Sequence, residues 1–146
     1  DTTYWGMYWD THADNFKTMR DGYGANLDAA YSALLEDMTR RGMLDRTLVL
    51  LMSEFGRTPK VNAAAGRDHW PPCNVALFAG AGIKKAQVIG ASDREAAYPE
   101  GNGFTPEDVI TTIYTILGID VRKEYRDHLD RPWRIATGEP IPELLL

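Results

Sequence analysis

Cysteine and histidine are scarce in this sequence, and long apolar runs are missing from it. The single cysteine among 146 residues, Cys73, excludes an internal disulfide and a cysteine-based metal cluster. No apolar run approaches the ~20 residues that a membrane-spanning helix needs, and the first residues lack the regions of a signal peptide. The formal net charge of −5 argues against nucleic acid as a partner, because binding to a phosphate backbone requires a basic surface.

The overall composition of the chain is typical of one globular domain. Apolar residues make up 44% of the chain and charged residues 25%, and no internal repeat or flexible linker divides it. We therefore expect a single α/β domain over residues 1–146. The first residue is Asp1 and not Met, so we also expect that a preceding segment exists.

Hydrophobic patterning predicts the elements of this domain. An amphipathic helix is expected from residue 26 to about residue 41, and a second helix from residue 106 to about residue 117, after the N-cap Thr105. Strands are predicted at residues 3–9, 47–52, 74–79 and 87–89. The second and third of these are apolar without alternation, as strands of a parallel sheet are. We therefore expect a mostly parallel central sheet flanked by helices, with polar residues clustered at the strand ends.

Two short motifs join aspartate to histidine. Asp10 and His12 are two residues apart after the first predicted strand, and Asp68 and His69 precede a later one. A carboxylate and two imidazoles with open positions suit a catalytic divalent ion such as zinc, and the residue types also allow manganese or iron. The alternative is that Asp10 caps a turn and His69 is a surface histidine. The third histidine, His128, lies among charged residues and is expected to be exposed.

Charged residues also follow the apolar strand at residues 47–52. Glu54 is a candidate metal ligand or general base, and the alternative is a polar residue that caps a turn. Arg57 and Arg67 are candidates for binding an anionic ester through the planar guanidinium. Alternatively, each pairs with Glu54, Asp68 or another surface acid.

Four blocks together carry a family resemblance: WDTH, TLVLLMSEFGRTP, GRDHW and NVALFAGAGIKKAQVIGASD. They resemble the C-terminal part of the DUF1501 proteins, a family without an assigned reaction that is related to the alkaline phosphatase and sulfatase superfamily. The resemblance extends from about Trp5 to Leu145. Its most specific parts are EFGRTP and GRDHW, and the chain departs slightly from the usual pattern at residues 84–86.

The superfamily relationship implies a fold and a metal site. The fold would be the C-terminal portion of an alkaline phosphatase-like three-layer sandwich. Asp10, His12 and His69 match superfamily metal ligands, whereas Phe55 replaces a ligand histidine of a second metal site. Glu54 would be the remaining carboxylate of that second site, and Asp68, which has no counterpart, would lie behind the ligands and support them.

The superfamily nucleophile lies on an N-terminal strand that nothing in this chain matches. The resemblance therefore implies that the chain supplies metal ligands, but not the nucleophile, to a metal-dependent hydrolase of phosphate or sulfate esters. Glu54 and Arg57 would be its catalytic residues, Arg57 and Arg67 would bind the small anionic ester, and the ion would be zinc, with manganese or calcium as alternatives. The other hypothesis is a non-catalytic binding or structural protein with a degraded site. The family also implies a periplasmic or secreted location.

Overall fold

The computed structural model describes residues 9–101 and 103–146 and shows a mixed α/β architecture. The helices are α1 (Asn15–Thr18), α2 (Gly24–Arg40) and α3 (Pro106–Ile116). A π-helical turn at Met19–Tyr23 joins α1 to α2, and a 3-10 turn at Leu44–Arg46 follows α2. The strands are β1 (Leu48–Met52), β2 (Gly56–Arg57), β3 (His69–Trp70), β4 (Ala76–Gly80), β5 (Glu124–Arg126) and β6 (Pro132–Arg134).

Helix α2 confirms the first predicted helix and ends as its sequence indicates. Gly42 adopts a φ of 65°, the left-handed conformation that glycine takes after a helix. Its N–H bonds the carbonyl of Thr39, and the N–H of Met43 bonds the carbonyl of Met38 at 2.8 Å. These two hydrogen bonds form a Schellman motif, which satisfies the last helical carbonyls. Helical structure also precedes α2, in α1 and the π-helical turn.

Strands β1 and β4 match the two apolar strands predicted at residues 47–52 and 74–79. They pair antiparallel, with Leu48 opposite Gly80 and Met52 opposite Ala76. The other two strand pairs in the described ranges, β2–β3 and β5–β6, are antiparallel as well. This differs from the mostly parallel sheet that we expected. A parallel pair needs a crossover connection, usually a helix, whereas residues 53–75 form the β2–β3 hairpin and bring the chain back along β1.

Helix α3 confirms the second predicted helix, together with its cap. The Thr105 hydroxyl accepts a hydrogen bond from the Asp108 N–H, and the Asp108 carboxylate accepts one from the Thr105 N–H, which completes a capping box. Asp108 also accepts from the N–H of Glu139 at 2.9 Å, and the Thr112 hydroxyl accepts from the N–H of Ile141. The C-terminal segment is thereby fastened along α3.

Two other strand predictions have different outcomes. Residues 87–89 form no strand, and the side chain of Val88 is 97% exposed. The strand predicted at residues 3–9 lies outside the described residues except for Trp9, which is in a bend.

Few apolar residues are buried in the described part of the chain: Met38, Ile83 and Ile141. Many large apolar residues stay exposed, among them Leu34 on α2, Met52 on β1 and Leu77 on β4. Both the helix and the central strand pair therefore present apolar surface to the outside. None of the described helices is both long and apolar enough to cross a bilayer.

Candidate metal centre

Two segments far apart in sequence form the candidate site. Asp10 and His12 lie in the segment that leads into α1, and His69 opens β3. The turn at residues 62–67 lies against the first segment, where the N–H groups of Asp14 and Arg67 bond the carbonyls of Ala64 and Thr11, each at 3.0 Å. These hydrogen bonds bring the two aspartate–histidine motifs together.

The three predicted ligands lie together as a possible metal-binding site. Asp10 Oδ1 is 2.7 Å from His69 Nε2 and 3.1 Å from His12 Nε2, and the two Nε2 atoms are 3.2 Å apart. Two ligand atoms of a tetrahedral zinc ion, each about 2.0–2.1 Å from it, are roughly 3.3 Å apart. The observed spacing is therefore close to that of a preformed ligand set. Each of the three side chains is about half exposed, so water or a substrate can reach the site.

Asp68 lies behind His12. Its Oδ1 is 2.6 Å from His12 Nδ1, and the hydrogen bond from His12 is the main reason that the pKa of Asp68 is lowered. A carboxylate at Nδ1 favours the tautomer in which Nδ1 carries the proton, so the Nε2 lone pair of a neutral His12 faces Asp10 and His69. This is the arrangement that a ligand histidine requires.

The carboxylate of Asp10 is held in its ionised form. Its pKa is lowered to about 2, first by the hydrogen bond with His69 and then by the one with Arg57. An ionised Asp10 is the state that coordinates a cation. Arg57 reaches it because Arg57 and His69 are opposite each other in the β2–β3 pair.

The guanidinium groups of both arginines donate hydrogen bonds to acceptors of the protein itself. Arg57 Nη2 donates to the Trp9 carbonyl at 2.7 Å and to Asp10 Oδ1 at 2.8 Å. Arg67 Nη1 donates to the carbonyls of Thr58 and Pro59, and its guanidinium lies over the ring of Phe16. Arg57 therefore pairs with Asp10, a surface acid other than Glu54 and Asp68.

Glu54 does not belong to the ligand cluster that the described residues form. It is exposed in the turn after β1, where Ser53 and Asn74 hydrogen-bond each other. Its neighbour Phe55 does reach the site, because the ring of Phe55 lies 4.1 Å from that of His69, centroid to centroid, at 30°. An aromatic ring thus packs against one candidate ligand, His69.

Sequence reasoning missed Asn62. The side-chain amide of Asn62 donates to the carbonyl of His12 at 3.0 Å and to Asp68 Oδ1 at 3.2 Å. The available signal was an isolated asparagine before an alanine-rich turn, which indicates turn chemistry but no distant partner. His128 is exposed, as expected, and Cys73 is half-buried.

Comparison with known proteins gives one match. No curated protein and no solved structure matches this chain. The family model described as a protein of unknown function, DUF1501, matches residues 2–145. Because that match covers nearly the whole sequence, the resemblance carried by the four sequence blocks is confirmed, and the chain belongs to the DUF1501 family.

Proposed function

We propose that this chain supplies the metal ligands of a metal-dependent hydrolase of phosphate or sulfate esters, related to the alkaline phosphatase and sulfatase superfamily. The observation that carries the proposal is the convergence of Asp10, His12 and His69 within metal-binding distance of one another in an open site. The proposal includes the larger superfamily sandwich, of which this chain is the C-terminal portion, and an exported location.

The donor set fits a zinc-type ion. Two imidazole nitrogens and one carboxylate oxygen, with further positions open to solvent, are typical of catalytic zinc sites. Manganese accepts the same donors, whereas calcium prefers an all-oxygen shell, so the two histidines disfavour calcium. A bound ion would polarise an ester oxygen and lower the pKa of a bound water or hydroxyl.

The remaining residues have supporting tasks in this proposal. Asp68 holds His12 in the ligand tautomer, and Arg57 keeps Asp10 ionised and fixed to β2. Arg57 and Arg67 supply positive charge for the anionic ester from one side of the site. Glu54 serves as the base or as part of a second site only if the turn after β1 brings it closer to the ligands. The nucleophile comes from outside this chain.

A non-catalytic protein with a degraded site is the second candidate, and one observation favours it. The Phe55 ring occupies the face of His69, so a second ion has no imidazole ligand there. Metal binding without turnover would be the signature of this candidate.

The test measures metal content and hydrolysis on the full-length protein. We expect about one bound ion per chain, and activity on a panel of phosphate and sulfate esters with zinc or manganese added. His69→Ala should weaken metal binding by more than the 10–100-fold typical of supporting residues, because it removes a ligand. His128→Ala is the matched control, because it removes an exposed histidine outside the cluster.

Two results would contradict the proposal. Equal and negligible metal in the wild type and in His69→Ala would exclude the metal site. Bound metal with no hydrolysis of any ester would select the non-catalytic candidate.

A further inference from the structure

Asn62 uses its whole hydrogen-bonding capacity at the join between the two segments of the site. Its Oδ1 accepts from the N–H of Ala64 at 3.0 Å and of Gly66 at 2.9 Å. Its Nδ2 donates to the carbonyl of His12 and to Asp68 Oδ1. Both acceptor positions and both donor hydrogens of the amide are therefore engaged. The partners also determine the orientation of the amide, because backbone N–H groups face one end and acceptors the other.

The oxygen and the nitrogen of the Asn62 amide have different roles. The Oδ1 end closes the turn at residues 62–66, a task that an aspartate performs equally well. The Nδ2 end points out of the turn. It donates to the carbonyl of His12, a candidate ligand, and to the carboxylate of Asp68, which contacts His12. Turn formation alone explains an asparagine or an aspartate here, but the contacts of Nδ2 require the amide.

We propose that Asn62 is a positioning residue that holds the Asp68 carboxylate against His12 Nδ1 and thereby directs the His12 Nε2 lone pair into the site. Asp68 lies on the other side of the turn from Asn62, and its own N–H bonds the Thr58 hydroxyl at 3.0 Å. The amide of Asn62 restrains the carboxylate itself, beside the hydrogen bond from His12. The part of the inference that concerns metal affinity rests on the proposed function, whereas the part that concerns the His12 tautomer does not.

The informative variant is Asn62→Asp. It preserves the oxygen that closes the turn and the shape of the side chain, but it replaces the donor with an oxygen that faces Asp68. We expect the zinc dissociation constant, measured by calorimetric titration of the full-length protein, to rise by about 10–100-fold, the range seen when a hydrogen bond behind a metal ligand is lost. We also expect long-range ¹H–¹⁵N spectra of the metal-free protein to show a smaller fraction of His12 with its proton on Nδ1 than in the wild type.

The matched control is Asn74→Asp. Asn74 also donates its amide to a backbone carbonyl, that of Ser53 at 2.8 Å, and it accepts a side-chain hydrogen bond from Ser53. It is exposed and has no contact with His12 or Asp68. The same loss of an amide and gain of a charge should leave zinc affinity and the His12 spectrum at their wild-type values.

A second variant keeps the inference testable if Asn62→Asp does not fold. Asp68→Ala leaves the turn closed through Asn62 Oδ1 and removes the acceptor through which Asn62 is proposed to act. It should change the His12 tautomer in the same direction. An unchanged tautomer in either variant would overturn the inference.

The two readouts separate this inference from the proposed function. A wild-type protein that binds no zinc would contradict the proposed function, and the spectra of the metal-free variants would still decide the role of Asn62. Zinc binding with an unaltered His12 tautomer in Asn62→Asp would overturn the inference and leave the proposed function standing.

Discussion

At the scale of single residues, the site depends on which atom of each side chain faces the centre. Asp10 offers one oxygen, Oδ1, to His12, His69 and Arg57 together. His12 is directed by Asp68 at one nitrogen, so its other nitrogen faces the other two candidate ligands. Residue types alone do not specify such orientations, since a histidine has two nitrogens and a carboxylate two oxygens.

The pKa of Asp10 gives a prediction at this scale. It lies at about 2, below the ordinary value of 3.8, so folding favours the ionised carboxylate. The resulting contribution to stability is present above pH ~4 and is lost as the pH falls from about 4 to about 2. A ¹³C NMR titration of the Asp10 carboxyl group measures this pKa directly.

Substitution of the two hydrogen-bond partners of Asp10, His69 and Arg57, should change its pKa by different amounts. His69→Ala should move the pKa of Asp10 back toward 3.8 by more than Arg57→Gln does, because the hydrogen bond with His69 is the larger cause. The pKa of Asp120, which is lowered by Arg122, should stay constant in both variants and serves as the internal control. An Asp10 that titrates near 3.8 in the wild type would contradict the hydrogen-bonded cluster.

At the scale of elements, the site is built from short connections and not from helices. The candidate ligands lie before α1 and at the start of β3, and the turn at residues 62–67 joins the two segments through backbone hydrogen bonds. Gly66 is buried in this turn, so close to His12 that a Cβ atom on Gly66 would overlap the His12 carbonyl. The position of one candidate ligand, His12, therefore depends on the lack of a side chain at residue 66.

Gly66→Ala should consequently displace the ligand segment. We expect a loss of stability of about 1–3 kcal/mol, typical of overpacking, and a weaker zinc affinity, both measured on the full-length protein. Gly22→Ala is the matched control, because a Cβ at Gly22 meets no atom within 4 Å. Wild-type stability and zinc affinity in Gly66→Ala would show that the two segments are not tightly joined.

The secondary structure was predictable where local signals dominate. The helix caps at Thr105 and Gly42 have chemical signatures in the sequence, and the apolar runs of β1 and β4 are too short to favour helices. The strand expected at residues 87–89 fails because a strand needs a partner, and the described residues provide none for it. The direction of the β1–β4 pair could not be predicted from either strand, since it depends on the path of residues 53–75.

At the scale of the whole molecule, the chain exposes more surface than a compact protein of its mass. Its accessible surface is 10,854 Å², whereas a compact monomer of 16.4 kDa exposes about 7,500 Å². Within residues 9–101 and 103–146, the sheet that contains β1 and β4 has two strands, fewer than the three that a sheet generally needs for independent stability. These features support the proposal that the chain forms part of a larger domain.

We therefore expect residues 1–146, expressed by themselves, to lack a cooperative unfolding transition. Urea should unfold this polypeptide gradually, without the slope of ~1–3 kcal/mol per M typical of small two-state domains. A dye that binds exposed apolar surface should fluoresce with it before any denaturant is added. A single sharp transition without dye binding would contradict the proposal of a larger domain.

The sequence by itself determined the family, the identity of the candidate ligands, the two longer helices and the apolar strands, because these follow from residue chemistry and from contacts between near neighbours. Only the tertiary structure decided that β1 and β4 run antiparallel, that Arg57 pairs with Asp10, that Phe55 covers His69 and that Asn62 contacts His12 and Asp68. Most of these contacts join residues far apart in sequence, and hydrogen-bond geometry between distant segments leaves no periodic signal in either one.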